Sequence, residues 1–419
     1  MGRIVLPYPH AGQQLVREQA KRFNWLCAGR RWRKTTLLAS VAVEAAIDGQ
    51  DVLWGAPVYD QVWTAWEECM RAMWDVAVPN QGRMTLSLPG RGRIMFRSLD
   101  NPRSVRSKTA DLVIVDEAGD VDPEAWSSVL RPLLTSTGGG AWMAGTPRGL
   151  NWFWEGWEGA ATRADSARWQ APTVGMRIEA GQLVREPHPL ENPDMPFEEM
   201  LSAFEETPEA KFREEYMADW MDSGDAVFKT ADIEAMPSGW SGFADPVRGR
   251  KYLHAWDIGR RSDATVGGTI DHTFWPWQLV AFERFQGLPY PAIQDAIEKR
   301  HRAYGGRTLV ESNGVGDPVI ENLAIMAEPF VTTARSKVDG ITALQLVLER
   351  AALKANIPQI TRELKAYRWD DRNLTQDCVM MLAIAAASLP RPARTGGTRL
   401  YTPDTRKKRA TIIGARQTF

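Results

Sequence analysis

Cysteine is scarce in this chain of 419 residues. Cys27, Cys69 and Cys378 are widely spaced and odd in number, which excludes a disulfide framework and a cysteine zinc site. Long apolar runs are missing as well. Nothing approaches the ~18–20 residues that span a bilayer, and the longest candidate, Cys378 to Leu389, is one core helix. The start, Met1-Gly2-Arg3-Ile4-Val5-Leu6-Pro7, lacks the apolar segment of a secretory leader. A soluble, intracellular protein without membrane association is expected. Hydrophobic residues at 44% and charged residues at 25% exclude disordered, collagenous and coiled-coil classes. Single cores stop growing near roughly 250–300 residues, so two domains of about 200 residues each are expected.

Net charge is also lacking, since 51 basic residues meet 52 acidic ones. The balance is uneven along the chain. Arg391 to Phe419 carries eight basic residues against Asp404 alone, whereas Arg185 to Asp245 carries four against sixteen acids. A basic tail is the footprint of a polyanion partner or a solubilising terminus.

The first half alternates short apolar runs with helical stretches. Phe23–Ala28, Val52–Ala56, Arg93–Arg97, Leu112–Val115 and Ala141–Ala144 read as strands, and Lys34–Asp48 and Gln61–Trp74 as helices. Uninterrupted apolar strands between helices predict a parallel sheet covered on both faces. Gly, Ser, Pro and Asp between Asp219 and Asp245 mark a linker. Beyond it, Tyr252–Trp256, Thr265–Ile270 and Gln278–Phe285 follow one another closely, then a helix at Tyr290–Tyr304 and a strand at Arg307–Val310. That order predicts a mixed α/β sheet. The expected boundaries are 1–222, a linker at 223–248, 249–392, and a tail at 393–419.

Chemistry concentrates at strand ends. Ala28-Gly29-Arg30-Arg31-Trp32-Arg33-Lys34-Thr35 joins the first strand to the first helix, where a Walker A loop cradles phosphates on backbone N–H groups. Lys34 would neutralise phosphate and Thr35 would ligate Mg²⁺. Ala28 and Arg33 stand where that pattern has glycine, and a basic loop capping a helix is the plainer account. Asp116 and Glu117 end the strand Leu112–Val115. The first can hold the Mg²⁺ shell and the second can polarise the attacking water. Together the two segments point to an ATPase. Thr146, in Gly145-Thr146-Pro147, can sense a γ-phosphate or simply sit in a turn.

Three further carboxylates punctuate the second half. Asp257 and Glu311 end strands, and Asp377 starts an apolar helix. Such acids can converge to hold two Mg²⁺ or Mn²⁺ ions for attack on a phosphodiester. Asp377 is equally an N-cap candidate, and Asp263 and Asp317 are competitors.

In this order the motifs resemble the terminase large subunit of tailed bacteriophages, from about Pro9 to Leu389. Gly29 to Thr35 is similar to its arginine-bearing Walker A, Leu112 to Ala118 to its Walker B, and Gly145-Thr146-Pro147 to its coupling motif. Gln13, with Gln14 as alternative, fits its adenine-contacting glutamine. Phe212-Arg213-Glu214-Glu215-Tyr216, Trp220 and Val227-Phe228 resemble the segment closing its ATPase half. Asp257, Glu311-Ser312-Asn313-Gly314-Val315-Gly316 and Asp377 match its nuclease triad.

The resemblance implies an α/β chain: an N-terminal P-loop (RecA/ASCE-like) parallel-sheet ATPase domain and a C-terminal RNase H-like mixed-sheet nuclease domain. ATP with Mg²⁺ would sit on Gly29, Arg30, Arg31, Lys34, Thr35, Asp116 and Thr146, and two Mg²⁺ or Mn²⁺ ions on the triad. Glu117 and the triad would be catalytic. Implied partners are double-stranded DNA, a portal protein, a terminase small subunit and further copies in a ring on the portal, the isolated chain being a monomer. The place is the host cytoplasm. Arg103, Arg106 and Arg148 are candidates for an arginine acting in trans. Trp32 would stack on adenine or, as expected for nearly all of the 18 tryptophans, pack in a core. An ATP-dependent translocase, or a nucleotide-binding scaffold with an inert nuclease-like domain, is the alternative. Two features depart from the family pattern: Arg33 replaces the second Walker glycine, and Gln376 precedes Asp377 where paired acids are common.

Overall fold

A computed structural model describes residues 3–102, 109–221, 226–240, 242–259, 264–312, 316–369 and 376–391. Arg103, Arg106, Asp263, Asn313-Gly314-Val315 and the basic tail 393–419 lie outside these residues, and Asp317 has no described side chain.

The first sheet is built from β1 (Phe23–Ala28), β2 (Asp51–Ala56), β3 (Val78–Asn80), β4 (Thr85–Ser87), β5 (Arg93–Ser98), β6 (Leu112–Val115), β7 (Gly140–Gly145) and β8 (Ser166–Ala171), in the order β3-β4-β5-β2-β6-β7-β1-β8. From β5 to β8 every pairing is parallel. The apolar runs are continuous because both faces are buried. Leu26, Trp54 and Ile114 face one core, which includes the helix Lys34–Ile47. Trp25, Leu53 and Val113 face another, with Phe153 of the helix Trp152–Ala160. Parallel strands also place all their C-terminal ends on one edge. β7 lies between β1 and β6, so the residue after β7 sits between the chain segments that follow the other two. A short antiparallel pair follows, β9 (Met176–Glu179) with β10 (Gln182–Arg185).

The second sheet contains β11 (Tyr252–Asp257), β12 (Ala264–Asp271), β13 (Trp277–Gln286), β14 (Arg307–Glu311), β15 (Glu328–Phe330) and β16 (Leu353–Lys354), ordered β15-β14-β11-β12-β13-β16. β11, β12 and β13 form an antiparallel meander, and β14 adds parallel to β11 after the helix Tyr290–Tyr304. This is the mixed sheet expected. Its main core lies under the helices Ala334–Glu349 and Asp377–Ser388. Trp256, Val310 and Ile297 pack on the opposite face.

The stretch read as a linker has structure of its own. It includes the helix Thr230–Glu234, and Val227, Phe228, Ile233 and Met236 are buried in the core of the second sheet. Val227 and Phe228 therefore join the second core rather than closing the first, because their apolar side chains dock beside Tyr367. The two halves meet through polar contacts: the Glu209 N–H donates to Glu349 Oε2 at 2.9 Å, and Arg350 Nη2 to the Glu205 carbonyl at 2.6 Å.

Candidate functional site

The loop after β1 holds its shape without the second glycine. Arg31 and Arg33 have φ of 64° and 70°, the left-handed region where side chains are strained by about 1–2 kcal/mol each. Arg33 is the N-cap of the helix Lys34–Ile47. What fixes the loop is a ring of distant donors on its carbonyls. Thr173 Oγ1 donates to the Arg30 carbonyl at 2.6 Å, and Asn192 Nδ2 to that of Arg31 at 2.8 Å. His10 Nε2 lies 3.2 Å from the Trp32 carbonyl, and Gln13 Nε2 donates to that of Arg33 at 3.0 Å. With the carbonyls held outward, the first N–H groups of the helix, which have no partner within it, are left for an anion. Gly29 is needed for space: a Cβ there would run into Thr173 Oγ1.

The side chains of the loop divide into inward and outward sets. Lys34 is buried, its Nζ 3.1 Å from the Ala28 carbonyl, 3.1 Å from Thr146 Oγ1 and 3.8 Å from Glu117 Oε1. Thr35 Oγ1 donates to Asp116 Oδ2 at 2.9 Å. Burial and then the Glu117 charge push the Asp116 carboxyl up to about 6, against the pull of Thr35 and Lys34. Arg30 pairs with Glu215 at 3.0 Å and Arg33 with Asp194 at 2.9 Å. Lys34, Thr35, Glu117 and Thr146 thus converge, as the order of β1, β7 and β6 dictates. They open on a cleft of about 1730 Å³ whose far wall includes Thr342, Gln345 and Arg368 of the second half.

Three expectations gain a precise placement. Trp32 is fully buried, donates to the Leu190 carbonyl and meets the edge of His10, so it is core. Gln13 is buried, its amide engaged by the His10 N–H and the Arg33 carbonyl, while Gln14 reaches Glu18 on the outer face. Arg148 pairs with Asp120 at 3.1 Å beside the cleft.

The second cluster follows from strand register. Ala255 pairs with Leu309 and Trp256 with Val310, so Asp257 and Glu311 end neighbouring strands side by side. Burial, a hydrogen bond with Glu311, and the charges of Glu311, Asp377 and Glu363 hold the Asp257 carboxyl well above its ordinary range. Asp377 begins the helix that covers this face, and its Oδ2 accepts from Arg284 Nη2 at 2.9 Å. Among the described residues no three His, Cys, Asp or Glu side chains already stand at metal-binding geometry. Buried Asp257 with half-buried Glu311 and Asp377, crowded and of one sign, is nonetheless a donor set suited to a hard divalent cation.

Several residues of these sites are not legible in the sequence. His10, Thr173 and Asn192 act through backbone carbonyls and carry no motif. Glu363, buried and accepting from the Cys378 N–H at 2.8 Å, sits on the amphipathic helix Pro358–Ala366, where an acid reads as solvated. Arg284 lies within β13 and has no sequence signature.

A family model for the N-terminal part of T4-type terminase large subunits matches residues 66–235. The terminase large subunit of Thermus virus P23-45 is 27% identical over an alignment covering 68% of this chain and 61% of that protein. The corresponding protein of Thermus phage G20c is 26% identical with the same coverage. The chain therefore matches 61% of the length of these relatives. In fold, it is similar to the large terminase of a thermophilic bacteriophage, with a TM-score of 0.55 at 12% identity, over 91% of this chain and 99% of that one. The ADP complex of that same phage protein gives 0.54 over 90% and 98%. By family model, by sequence and by fold, the chain resembles the large subunits of phage terminases.

Proposed function

We propose that this chain is the motor-nuclease of a viral DNA-packaging machine: ATP hydrolysis drives double-stranded DNA into a procapsid, and a two-metal nuclease cuts concatemeric DNA. The observation that carries the reading is the meeting of Lys34, Thr35, Glu117 and Thr146 on a cleft walled by the second half, with Asp116 buried behind Thr35. Residues 1–222 form the ATPase domain, 223–248 a connecting segment, 249–392 the nuclease domain and 393–419 a basic tail that grips DNA or the portal.

In the first domain Gly29, Arg30, Arg31 and Lys34 receive the phosphates of ATP, and Gln13 serves the adenine end. Thr35 and Asp116 hold Mg²⁺. Glu117 takes a proton from the attacking water, and Thr146, on Lys34, senses the γ-phosphate. Arg148 is the described candidate to reach a neighbouring subunit in a ring. In the second domain Asp257, Glu311 and Asp377 hold Mg²⁺ or Mn²⁺, which when bound generates the nucleophile and stabilises the leaving oxygen. Backbone contacts by Lys and Arg make such cutting indifferent to sequence. A portal protein, a terminase small subunit and further copies of the chain are the partners, in the host cytoplasm.

The test is paired. Phosphate release from ATP, with and without linear duplex, is measured for wild type, Lys34→Ala and Glu117→Ala. Plasmid cutting in Mg²⁺ or Mn²⁺ is measured for wild type and Asp257→Ala. Turnover lost in both Lys34→Ala and Glu117→Ala and cutting lost in Asp257→Ala is the expected result. Negligible turnover in wild type and Glu117→Ala alike would leave a nucleotide-binding scaffold, and plasmid left intact by folded wild type would leave a translocase with an inert second domain.

A further inference from the structure

Residues paired across a sheet share a face. Asp257 pairs with Val266 and Val266 with Arg284, so Asp257 and Arg284 stand two strands apart on the face covered by the helix Asp377–Ser388. The guanidinium of Arg284 closes on Asp377 Oδ2 at 2.9 Å. With the Gln359 amide turned carbonyl inward, its oxygen accepts from Arg284 Nη1 at 3.3 Å and Nε at 3.2 Å. Arg284 is thus seated in a two-sided cradle, and Glu363 adds a further negative charge nearby.

We infer that Arg284 is a resident counterion of Asp377, which must let go of that carboxylate before a divalent ion can be held there. The inference rests on the metal-nuclease reading above. A carboxylate oxygen already receiving a guanidinium N–H offers a cation one lone pair fewer, and the fixed positive charge repels the incoming one. Arginine and metal therefore compete for Asp377, and by linkage removing one strengthens the other. Gln359 gives the displaced guanidinium somewhere to remain, on its Nε and Nη1 edge. A role that merely orients Asp377 as a ligand makes the opposite prediction, since loss of a supporting partner weakens metal binding about 10–100-fold.

The experiment is calorimetric titration of Mn²⁺ into the full chain, for wild type, Arg284→Gln, Arg284→Lys and Asp257→Ala, with folding checked by melting. Arg284→Gln is expected to bind Mn²⁺ about tenfold more tightly. Arg284→Lys, which keeps the charge, is expected to stay within about threefold of wild type. Should the glutamine variant melt early, Arg284→Leu repeats the test by filling the space without charge. Affinity unchanged or weakened on removing the charge, while Asp257→Ala abolishes binding, overturns the counterion and leaves the metal site standing. Binding absent from wild type, or surviving Asp257→Ala, removes the metal site and the counterion together.

Discussion

Arg33 Nη1 and Asp194 Oδ2 pair at 2.9 Å, tying the N-cap of the phosphate-loop helix to the segment that also supplies Asn192. The pair is half-exposed and contributes at most about 1 kcal/mol. The backbone beneath it is the larger matter, because an arginine at φ 70° is strained. Arg33→Ala loses the pair and keeps the strain, whereas Arg33→Gly loses the pair and relieves it. The glycine variant is therefore expected to be more stable than the alanine variant by about 1 kcal/mol in urea denaturation. Alanine equal to or better than glycine would contradict a left-handed residue 33.

Asp116 illustrates stability given up at a site. Its carboxyl is pushed up from 3.8 to about 6, so the folded chain retains a proton that the unfolded chain has released. That group's stability is fully present below pH 3.8 and is lost as pH rises through 6. At pH 7.5 the buried charge is a burden of up to about 3 kcal/mol. Asp116→Asn is expected to raise the melting temperature at pH 7.5, to change it little at pH 4, and to abolish ATP turnover. A lower melting temperature at pH 7.5 would mean that Thr35 and the Glu117 N–H repay the charge in full.

Much of this arrangement is legible in the sequence, and the limits have physical reasons. Leu112–Val115 can be read to the residue because four apolar positions buried on both faces cannot alternate. The helix Tyr290–Tyr304 is equally plain, closed by Gly305 at φ 66°. β3, β4, β15 and β16 are two or three residues long and carry no period. Val227 and Phe228 resemble a segment that closes the first half, and the Asp, Ser and Gly before them read as linker, yet they dock in the second core. Lys34, Thr35, Asp116 and Glu117 announce themselves by spacing. Thr173 and Asn192 do not, since the backbone carbonyls they hold are the same in every residue.

His254 makes the second domain sensitive to acid. It is buried on β11, with Nδ1 2.9 Å from Thr269 Oγ1 and Nε2 2.8 Å from the Gly305 carbonyl. Burial lowers its pKa from 6.5 to about 4, so it stays neutral in the fold and ionises on unfolding. Stability is fully present above pH 6.5 and is lost as pH falls through 4. A loss of up to about 3 kcal/mol is expected, and His254→Gln should flatten it. Melting curves of the two proteins between pH 7 and pH 4 make the comparison. Parallel profiles would remove His254 as the cause.

Gly267 and Trp256 are register partners on β12 and β11, and a Cβ on Gly267 would enter the Trp256 indole. A ring enclosed by Ile293, Ile297 and Val310 has no room to retreat. Gly267→Ala is expected to destabilise the second domain by about 1–3 kcal/mol and to leave ATP turnover intact. Equal loss of turnover would show that the two halves melt as one unit.

The ring of donors on the phosphate loop has a consequence for evolution and for affinity. Where glycine confers the shape of such a loop, the shape belongs to the loop and travels with its spelling. Here His10, Gln13, Thr173 and Asn192 impose it from four separate stretches of chain. Its spelling is then free to drift, and loops of this kind will escape recognition by glycine spacing. On the proposed reading, a nucleotide would meet a loop already held in one shape, so little of the binding energy would go into ordering it.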